Sequence, residues 1–171
     1  MTDAPRLTGL PPIVAAGARL LILGSMPGAA SLRAQQYYAH PHNRFWPIMG
    51  ALCGATPDLP YAERVRVLER SHIAVWDVLH SCHRSGSLDA AIDLATAQPN
   101  DLATLLRAHA GIRRVLCNGA LSARLWRRHF AALAAREFPQ LECLALPSTS
   151  PANATWSPAR KLAAWRAACG R

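Results

Sequence analysis

The chain has few acidic residues, a single lysine and no long hydrophobic run. Asp and Glu number 10 against 19 Lys and Arg, so the formal net charge is +9, and every one of those basic residues except Lys161 is an arginine. This excess of positive charge favours a polyanionic partner such as nucleic acid, although the same arginines could simply form solvated helix faces. No apolar run is long enough to span a bilayer, and residues 1–10, which include Asp3 and Arg6, lack the apolar core of a signal peptide. These absences predict a cytoplasmic protein with no membrane partner.

The five cysteines follow no metal-binding or disulfide pattern. They form no C-x-x-C pair and their number is odd, which argues against an iron–sulfur site and against a disulfide scaffold. Cys117 and Cys143 lie in apolar runs and are predicted to be small core residues. His80, Cys82 and His83 are close enough in sequence to bind zinc, but a loop after a strand is the simpler interpretation. We therefore expect neither a metal ion nor another cofactor.

Apolar runs alternate with helical patterns along the chain, which is typical of an α/β fold. The 171 residues suffice for one domain, residues 1–171. The apolar runs predict four strands, at residues 20–23, 73–79, 115–117 and 141–146. Helices are predicted at residues 43–52, 60–70, 101–109 with Asn100 as the cap, and 120–130, with a last helix that starts at Ser157 and Pro158. The pattern predicts a three-layer α/β/α fold with a central, four-stranded, mostly parallel sheet.

A parallel sheet of this kind binds its ligands beyond the carboxyl ends of the strands. Four polar or glycine-rich segments are predicted at that edge: residues 24–28, 80–87, 118–119 and 147–153. The first reads GSMPG, and its glycines would allow a ligand to approach the backbone closely, although any turn from a strand to a helix can look similar. Asp77 lies near the end of the second predicted strand and is therefore expected close to the same edge.

Residues 37–46 read YYAHPHNRFW and concentrate aromatic and imidazole side chains. Phe45 and Trp46 are predicted to be core residues of the following helix, and Asn43 could be its N-cap. Tyr37 and Tyr38 lie in a polar loop with no packing pattern to serve. Aromatic faces in a loop beside a strand end are suited to stacking on nucleic acid bases.

Residues 146–153 read LPSTSPAN and are predicted to form a rigid, polar loop. Three hydroxyl groups stand between Pro147 and Pro151 and could donate hydrogen bonds to phosphate oxygens. A capped turn before the last helix is the alternative interpretation.

Taken together, the segments GSMPG (24–28), YYAHPHNRFW (37–46) and LPSTSPAN (146–153) closely resemble the hypoxanthine-DNA glycosylases, family six of the uracil-DNA glycosylase superfamily. The segments IAVWDVL (73–79), SGSLD (85–89) and CNG (117–119) match as well, so the resemblance extends from about Gly9 to Trp165. The second segment is also similar to that of the mismatch-specific G:T/U glycosylases. The resemblance implies a uracil-DNA glycosylase-like fold and, as partner, double-stranded DNA that contains a deaminated or mismatched base.

The resemblance also implies roles for single residues. Asn43 matches the asparagine of the second motif that is linked to catalysis in family six, whereas Met26 stands where the mismatch-specific enzymes hold a water-positioning asparagine. Tyr38 falls at the position of the ring that stacks on the flipped base. The loop 147–151 falls where the superfamily grips the DNA backbone and wedges the duplex. Residues 148–150 stand in place of the typical histidine of the uracil-specific enzymes, which argues against strict uracil specificity.

These observations predict a monofunctional DNA glycosylase of base excision repair that hydrolyses the N-glycosidic bond of a flipped base, with hypoxanthine favoured. Lys161 lies in the last helix, away from every candidate segment, so no side-chain amine is expected to form a Schiff base. The predicted site residues are Asn43 and Asp77 for catalysis, Gly24, Ser25, Met26, Tyr38 and Asn118 for base binding, and His40, His42, Pro147, Ser148, Thr149, Ser150 and Asn153 for DNA binding. Asp77 could contact the base edge, act as a base toward water, or only cap the following loop. The alternatives are a uracil or G:T/U mismatch glycosylase and a non-catalytic protein that binds damaged DNA; a monomer is expected.

Overall fold

The computed structural model describes residues 4–170, so the first three residues of the N-terminal segment and the last residue of the predicted domain lie outside it. The strands are β1 Arg6–Thr8, β2 Leu20–Gly24, β3 Ile73–Asp77, β4 Leu79–Arg84, β5 Ile92–Pro99, β6 Arg114–Asn118 and β7 Glu142–Leu146. The helices are α1 Ala29–Ala34, α2 Phe45–Cys53, α3 Tyr61–Arg70, α4 Leu102–Ala108, α5 Ala120–His129, α6 Ala131–Glu137 and α7 Pro158–Cys169. Within this described range, none of the helices has the length and apolarity needed to cross a membrane.

The central sheet has four parallel strands in the order β3-β2-β6-β7, which confirms the predicted three-layer α/β/α architecture. Strand β2 is buried along its whole length. Because side chains alternate between the two faces of a strand, Leu21 and Leu23 pack into one hydrophobic cluster while Ile22 packs into the other. Both faces of the sheet are therefore covered at β2, whereas the edge strand β7 is largely exposed.

The run at residues 73–79 is not one strand, contrary to the sequence prediction. Strand β3 ends at Asp77, and β4 begins at Leu79 in a second sheet, where it pairs antiparallel with β1 and β5. The first part of the predicted site segment 80–87 is therefore strand rather than loop. The apolar run continues through Val78 without glycine or proline, so the sequence carries no signal of the change of sheet.

The change of sheet is held by hydrogen bonds that also correct the prediction for Asn100. Its side-chain Nδ2 donates to the carbonyl oxygens of Asp77 (2.9 Å) and Leu79 (3.1 Å), so Asn100 braces the crossover instead of capping α4. The cap is Asp101, whose carboxylate accepts from the backbone N–H of Thr104. Asparagine and aspartate are both good caps. Which of Asn100 and Asp101 caps α4 is decided by the hydrogen bonds of Asn100 to the crossover.

Most helix ends follow the sequence signals. Gly54 ends α2 in the left-handed conformation, and the Ser157 hydroxyl accepts from the N–H of Arg160 at the start of α7. Helices α1 and α6 and the whole antiparallel sheet were not predicted. The core assignment is confirmed for Cys117, which is buried, and is wrong for Cys143, which is exposed on the edge strand β7.

Candidate active site

A cavity of about 680 Å³ opens at the carboxyl ends of the parallel strands. Its walls are supplied by the segments that follow β2, β3, β6 and β7, as predicted for a parallel sheet. Twelve of the predicted site residues line it: Gly24, Ser25, Met26, Tyr38, His40, Asn43, Asp77, Asn118, Ser148, Thr149, Ser150 and Asn153. His42 and Pro147 are not among the lining residues. The carbonyl of Pro147 instead accepts a hydrogen bond from Nε1 of Trp165 and anchors the loop to α7.

Asp77 forms the buried end of the cavity. Its side chain is only 4% exposed, and its Oδ2 atom has no hydrogen-bond partner among the described residues. Burial, followed by repulsion from the Asp89 carboxylate, raises the pKa of Asp77 to about 7, although the Arg84 guanidinium pulls it the other way. Gly24 makes room for this carboxyl, because a Cβ atom at that position would collide with Oδ1 of Asp77.

Two charged residues near Asp77, Arg84 and Asp89, are not among the site residues predicted from the sequence. Arg84 at the end of β4 is fully buried; its Nη2 donates to the carbonyl of Pro27 at 2.5 Å and its Nε donates to the carbonyl of Gly86 at 2.9 Å. Its Nη1 has no partner among the described residues. Asp89 accepts a hydrogen bond from the Ser25 hydroxyl at 2.5 Å. The sequence assigned neither residue to the site, because a charged residue in a segment predicted as a loop is usually exposed to solvent.

Tyr38 is held in a strained conformation at the cavity wall. Its φ angle is 53°, in the left-handed region that side chains other than glycine rarely adopt. Its ring stacks on Phe45, with centroids 4.0 Å apart and planes inclined by 21°. Its hydroxyl accepts from Nδ2 of Asn118 at 3.1 Å. Burial raises its pKa above the ordinary range, so the phenol stays neutral. Since Phe45 covers one face, only the other face is available for stacking.

Tyr37 is a core residue, contrary to the expectation that it serves no packing. It is 4% exposed and packs in the same hydrophobic cluster as Phe45 and Trp46. Its hydroxyl donates to the carbonyl of Pro11 at 2.8 Å. The prediction that Phe45 and Trp46 are core residues is confirmed.

Asn118 connects two walls of the cavity. Its Nδ2 donates both to the Tyr38 hydroxyl and to Oγ1 of Thr149 (2.9 Å), and its Oδ1 accepts from the backbone N–H of Thr149 (2.9 Å). Both amide hydrogens are thus used within the protein. Asn118 lines the cavity, but this geometry positions Tyr38 and Thr149 rather than leaving the amide free.

Asn43 lines the cavity and contacts the start of α2. Its Oδ1 accepts from the backbone N–H of Phe45 at 2.9 Å. The N-cap of α2 is Arg44, which makes no side-chain cap, so the interpretation of Asn43 as the N-cap is wrong: it lies one residue earlier and its side chain closes a local turn. This bond fixes the plane of the amide and leaves Nδ2 as the group that can donate to a ligand or to water. The residue is half-buried and lines the cavity.

The loop 147–153 is braced from outside the cavity by Lys161. This lysine is only 3% exposed, and its Nζ donates to the carbonyl of Ser150 at 3.3 Å. Burial, followed by the nearby positive charge of Arg44, lowers its pKa. The prediction that Lys161 lies away from every candidate segment is therefore wrong, because helix α7 packs back onto the loop that precedes it. Lys161 is nevertheless not a lining residue of the cavity.

Comparisons with known proteins agree on one family. The sequence profile described as "Uracil DNA glycosylase superfamily" matches residues 11–169. A protein of Methanosarcina barkeri named hypoxanthine DNA glycosylase is 36% identical over 115 residues, which cover 67% of this chain and 72% of the relative. A protein of the same name from Methanosarcina acetivorans is 34% identical over 112 residues, covering 65% and 70%. A solution NMR structure from Methanosarcina acetivorans, described as a candidate uracil DNA glycosylase, superimposes with a TM-score of 0.78 at 29% identity and covers 96% of this chain and 97% of that one.

Proposed function

The chain belongs to the uracil DNA glycosylase superfamily, and on this premise we propose that it releases hypoxanthine from DNA as a monofunctional enzyme. It is a DNA glycosylase, and DNA is its substrate. The relatives named hypoxanthine DNA glycosylase support hypoxanthine as the base. The monomer and the single domain of residues 1–171 that the sequence predicts are part of this proposal.

The observation that carries the proposal is the buried carboxyl of Asp77, whose Oδ2 atom has no hydrogen-bond partner among residues 4–170. A flipped base enters the cavity with its glycosidic nitrogen outward, so the opposite edge meets Asp77. In hypoxanthine this edge presents the N1–H donor beside the O6 acceptor. A neutral carboxylic acid offers one O–H donor and one carbonyl acceptor and therefore matches both groups. The pKa of about 7 keeps a substantial neutral fraction available at neutral pH.

The same contact assists bond cleavage. Negative charge builds up on the base as the glycosidic bond breaks, and part of it resides on O6. A preorganised donor aimed at developing charge stabilises the transition state, whereas an ionised carboxylate at the same place would repel it. Asp77 therefore acts as a neutral donor, in the manner of a buried acid with a raised pKa.

Tyr38 and Asn43 complete the chemistry. The open face of the Tyr38 ring stacks on the flipped base, and the Asn118 amide and Phe45 hold that ring in place. Asn43 donates from Nδ2 to the attacking water or to the base, with its orientation fixed by the hydrogen bond that its Oδ1 accepts from the N–H of Phe45. The hydroxyl groups and amides of the loop 147–153 and His40 hold the DNA backbone around the flipped nucleotide.

Uracil presents the same adjacent N–H and carbonyl groups as hypoxanthine, so the Asp77 contact also fits a uracil or G:T/U mismatch glycosylase. The deciding experiment uses protein in excess over labelled duplexes that carry one deoxyinosine, one deoxyuridine or one G:T mismatch, with hot alkali to reveal abasic sites. We expect alkali-dependent cleavage at deoxyinosine. Cleavage only at deoxyuridine or G:T would reassign the base, and no chemistry on any duplex would favour a non-catalytic binder of damaged DNA.

Two variants of Asn43 separate catalysis from the local hydrogen bond to Phe45. Asn43→Ser keeps an oxygen that can accept from the N–H of Phe45 but has no amide donor, whereas Asn43→Ala loses both. We expect both variants to lose at least about a hundredfold in single-turnover rate, a loss of about 2.7 kcal/mol in transition-state stabilisation. Only Asn43→Ala should also lower the melting temperature. A serine variant with wild-type activity would show that the hydrogen bond to Phe45 is the only role of Asn43.

A further inference from the structure

Leu88 is the most exposed large hydrophobic side chain among residues 4–170. It is 59% exposed, and the only other large hydrophobic residue of this kind there is Leu144, at 39%. Leu88 lies on the rim of the cavity, whereas Leu144 lies on the edge strand β7 and does not line it. A single exposed leucine is ordinary on a protein surface, but Leu88 differs from Leu144 in its position at the cavity.

The backbone on both sides of Leu88 is pinned to the turn that follows β2. The Ser87 hydroxyl accepts from the backbone N–H of Ala29 at 2.9 Å. Asp89 accepts from the hydroxyl of Ser25 at 2.5 Å, with Ser25 itself buried. These contacts hold the Leu88 side chain outward at the cavity mouth. Presenting it to DNA therefore requires little further ordering.

The loop 147–153, which also lines the cavity, offers no comparable side chain. The loop 147–153 consists of serine, threonine, asparagine, alanine and proline, and its exposed apolar groups are limited to Pro151 and Ala152. Flipping a nucleotide leaves a gap in the base stack, and proteins that distort DNA commonly fill such gaps with an inserted apolar side chain such as leucine. We propose that Leu88 inserts into the duplex and fills the gap left by the flipped nucleotide, while the loop 147–153 holds the backbone. This assignment moves the wedge from the loop suggested by the family resemblance to the segment between β4 and β5.

The proposal rests on the proposed function, because it requires a flipped nucleotide. Single-turnover rates would be measured for the same deoxyinosine oligonucleotide as a duplex and as a single strand, with wild type, Leu88→Ala, Leu88→Met and Leu144→Ala. A single strand has no stack to fill. We expect Leu88→Ala to lose about tenfold to fiftyfold on the duplex, the effect of removing up to three buried carbon atoms, and less than about twofold on the single strand. Leu88→Met should restore duplex activity, and Leu144→Ala should match wild type on both.

A second readout is independent of the excised base. A duplex with 2-aminopurine opposite an abasic-site analogue reports stacking at the gap by fluorescence, and Leu88→Ala should abolish the change that wild type causes on binding. Equal losses by Leu88→Ala on both substrates, or none on either, would overturn the wedge. If wild type releases uracil but not hypoxanthine, the proposed base fails, and deoxyuridine takes the place of deoxyinosine in the comparison. If wild type has no glycosylase activity, the proposed function fails, and an unchanged fluorescence response in Leu88→Ala would then refute the wedge as well.

Discussion

Replacing Asp77 with asparagine tests the neutral-donor mechanism through its pH dependence. Asparagine has the same shape as a carboxylic acid and keeps one donor and one acceptor, but it does not ionise. If the neutral acid is the active form of Asp77, then Asp77→Asn retains most of the activity at pH 6. It should also lose the pH dependence that wild type shows.

The size of the effect follows from the pKa of about 7. For a group with that pKa, the protonated fraction is about 0.9 at pH 6 and about 0.1 at pH 8, and kcat/KM follows the protonation state of the free enzyme. Wild-type kcat/KM should therefore fall about tenfold between pH 6 and pH 8. Asp77→Asn should stay level over this interval. Asp77→Ala, which removes the donor, should lose about a hundredfold at both pH values.

The assay is release of hypoxanthine from a deoxyinosine duplex at protein concentrations well below saturation, at constant ionic strength because DNA binding depends on salt. Wild-type activity that rises through pH 7, together with an inactive Asp77→Asn, would refute the neutral-donor mechanism. In that case Asp77 would act as an ionised base toward water.

Stability supplies an independent check on the protonation state of Asp77. The pKa of this carboxyl is about 7 in the folded state and near 3.8 in the unfolded state. Its ionisation therefore lowers the free energy of unfolding progressively as pH rises from 3.8 to about 7, and above pH 7 this loss of stability stays constant. At about 1.4 kcal/mol for each pH unit between the two values, the cost reaches a few kcal/mol. Asp77→Asn should therefore be more stable than wild type at pH 8 in urea denaturation, with the difference vanishing near pH 4. An equal difference at both pH values would contradict the raised pKa.

Two further predictions concern the neighbours of this group. Gly24→Ala should displace the Asp77 carboxyl, because the new Cβ would collide with Oδ1, and should destabilise the protein by about 1–3 kcal/mol with loss of glycosylase activity. The control is Gly28→Ala. Its new Cβ would make only ordinary contacts at 3.7 Å, so this variant should leave the rate nearly unchanged. Equal activity of the two variants would argue against the tight packing at Gly24. Lys161→Met should keep glycosylase activity, because the amine braces the loop at Ser150 from outside the cavity, and wild-type protein should form no borohydride-trapped complex with DNA. A trapped complex that disappears in Lys161→Met would mean that the enzyme is bifunctional.

The sequence predicted those parts of the fold that depend on local pattern. Continuous apolar runs marked the buried parallel strands, because such strands are covered on both faces. Capping residues such as Ser157 and end signals such as Gly54 marked helix boundaries. The rule that parallel strands present their carboxyl ends at one edge then brought most of the predicted site residues to one cavity.

The tertiary structure decided what depends on contacts between distant segments. A single apolar run at residues 73–79 became two strands in different sheets because Asn100 and the turn after β2 hold the crossover. The same fold buried Arg84 beside the Asp77 carboxyl and brought Lys161 onto the loop 147–153. Spacing in the sequence carries no information on the depth or charge environment of a side chain. For that reason the sequence could nominate Asp77 as a site residue, while its raised pKa and unpartnered oxygen arise only from the packing around it.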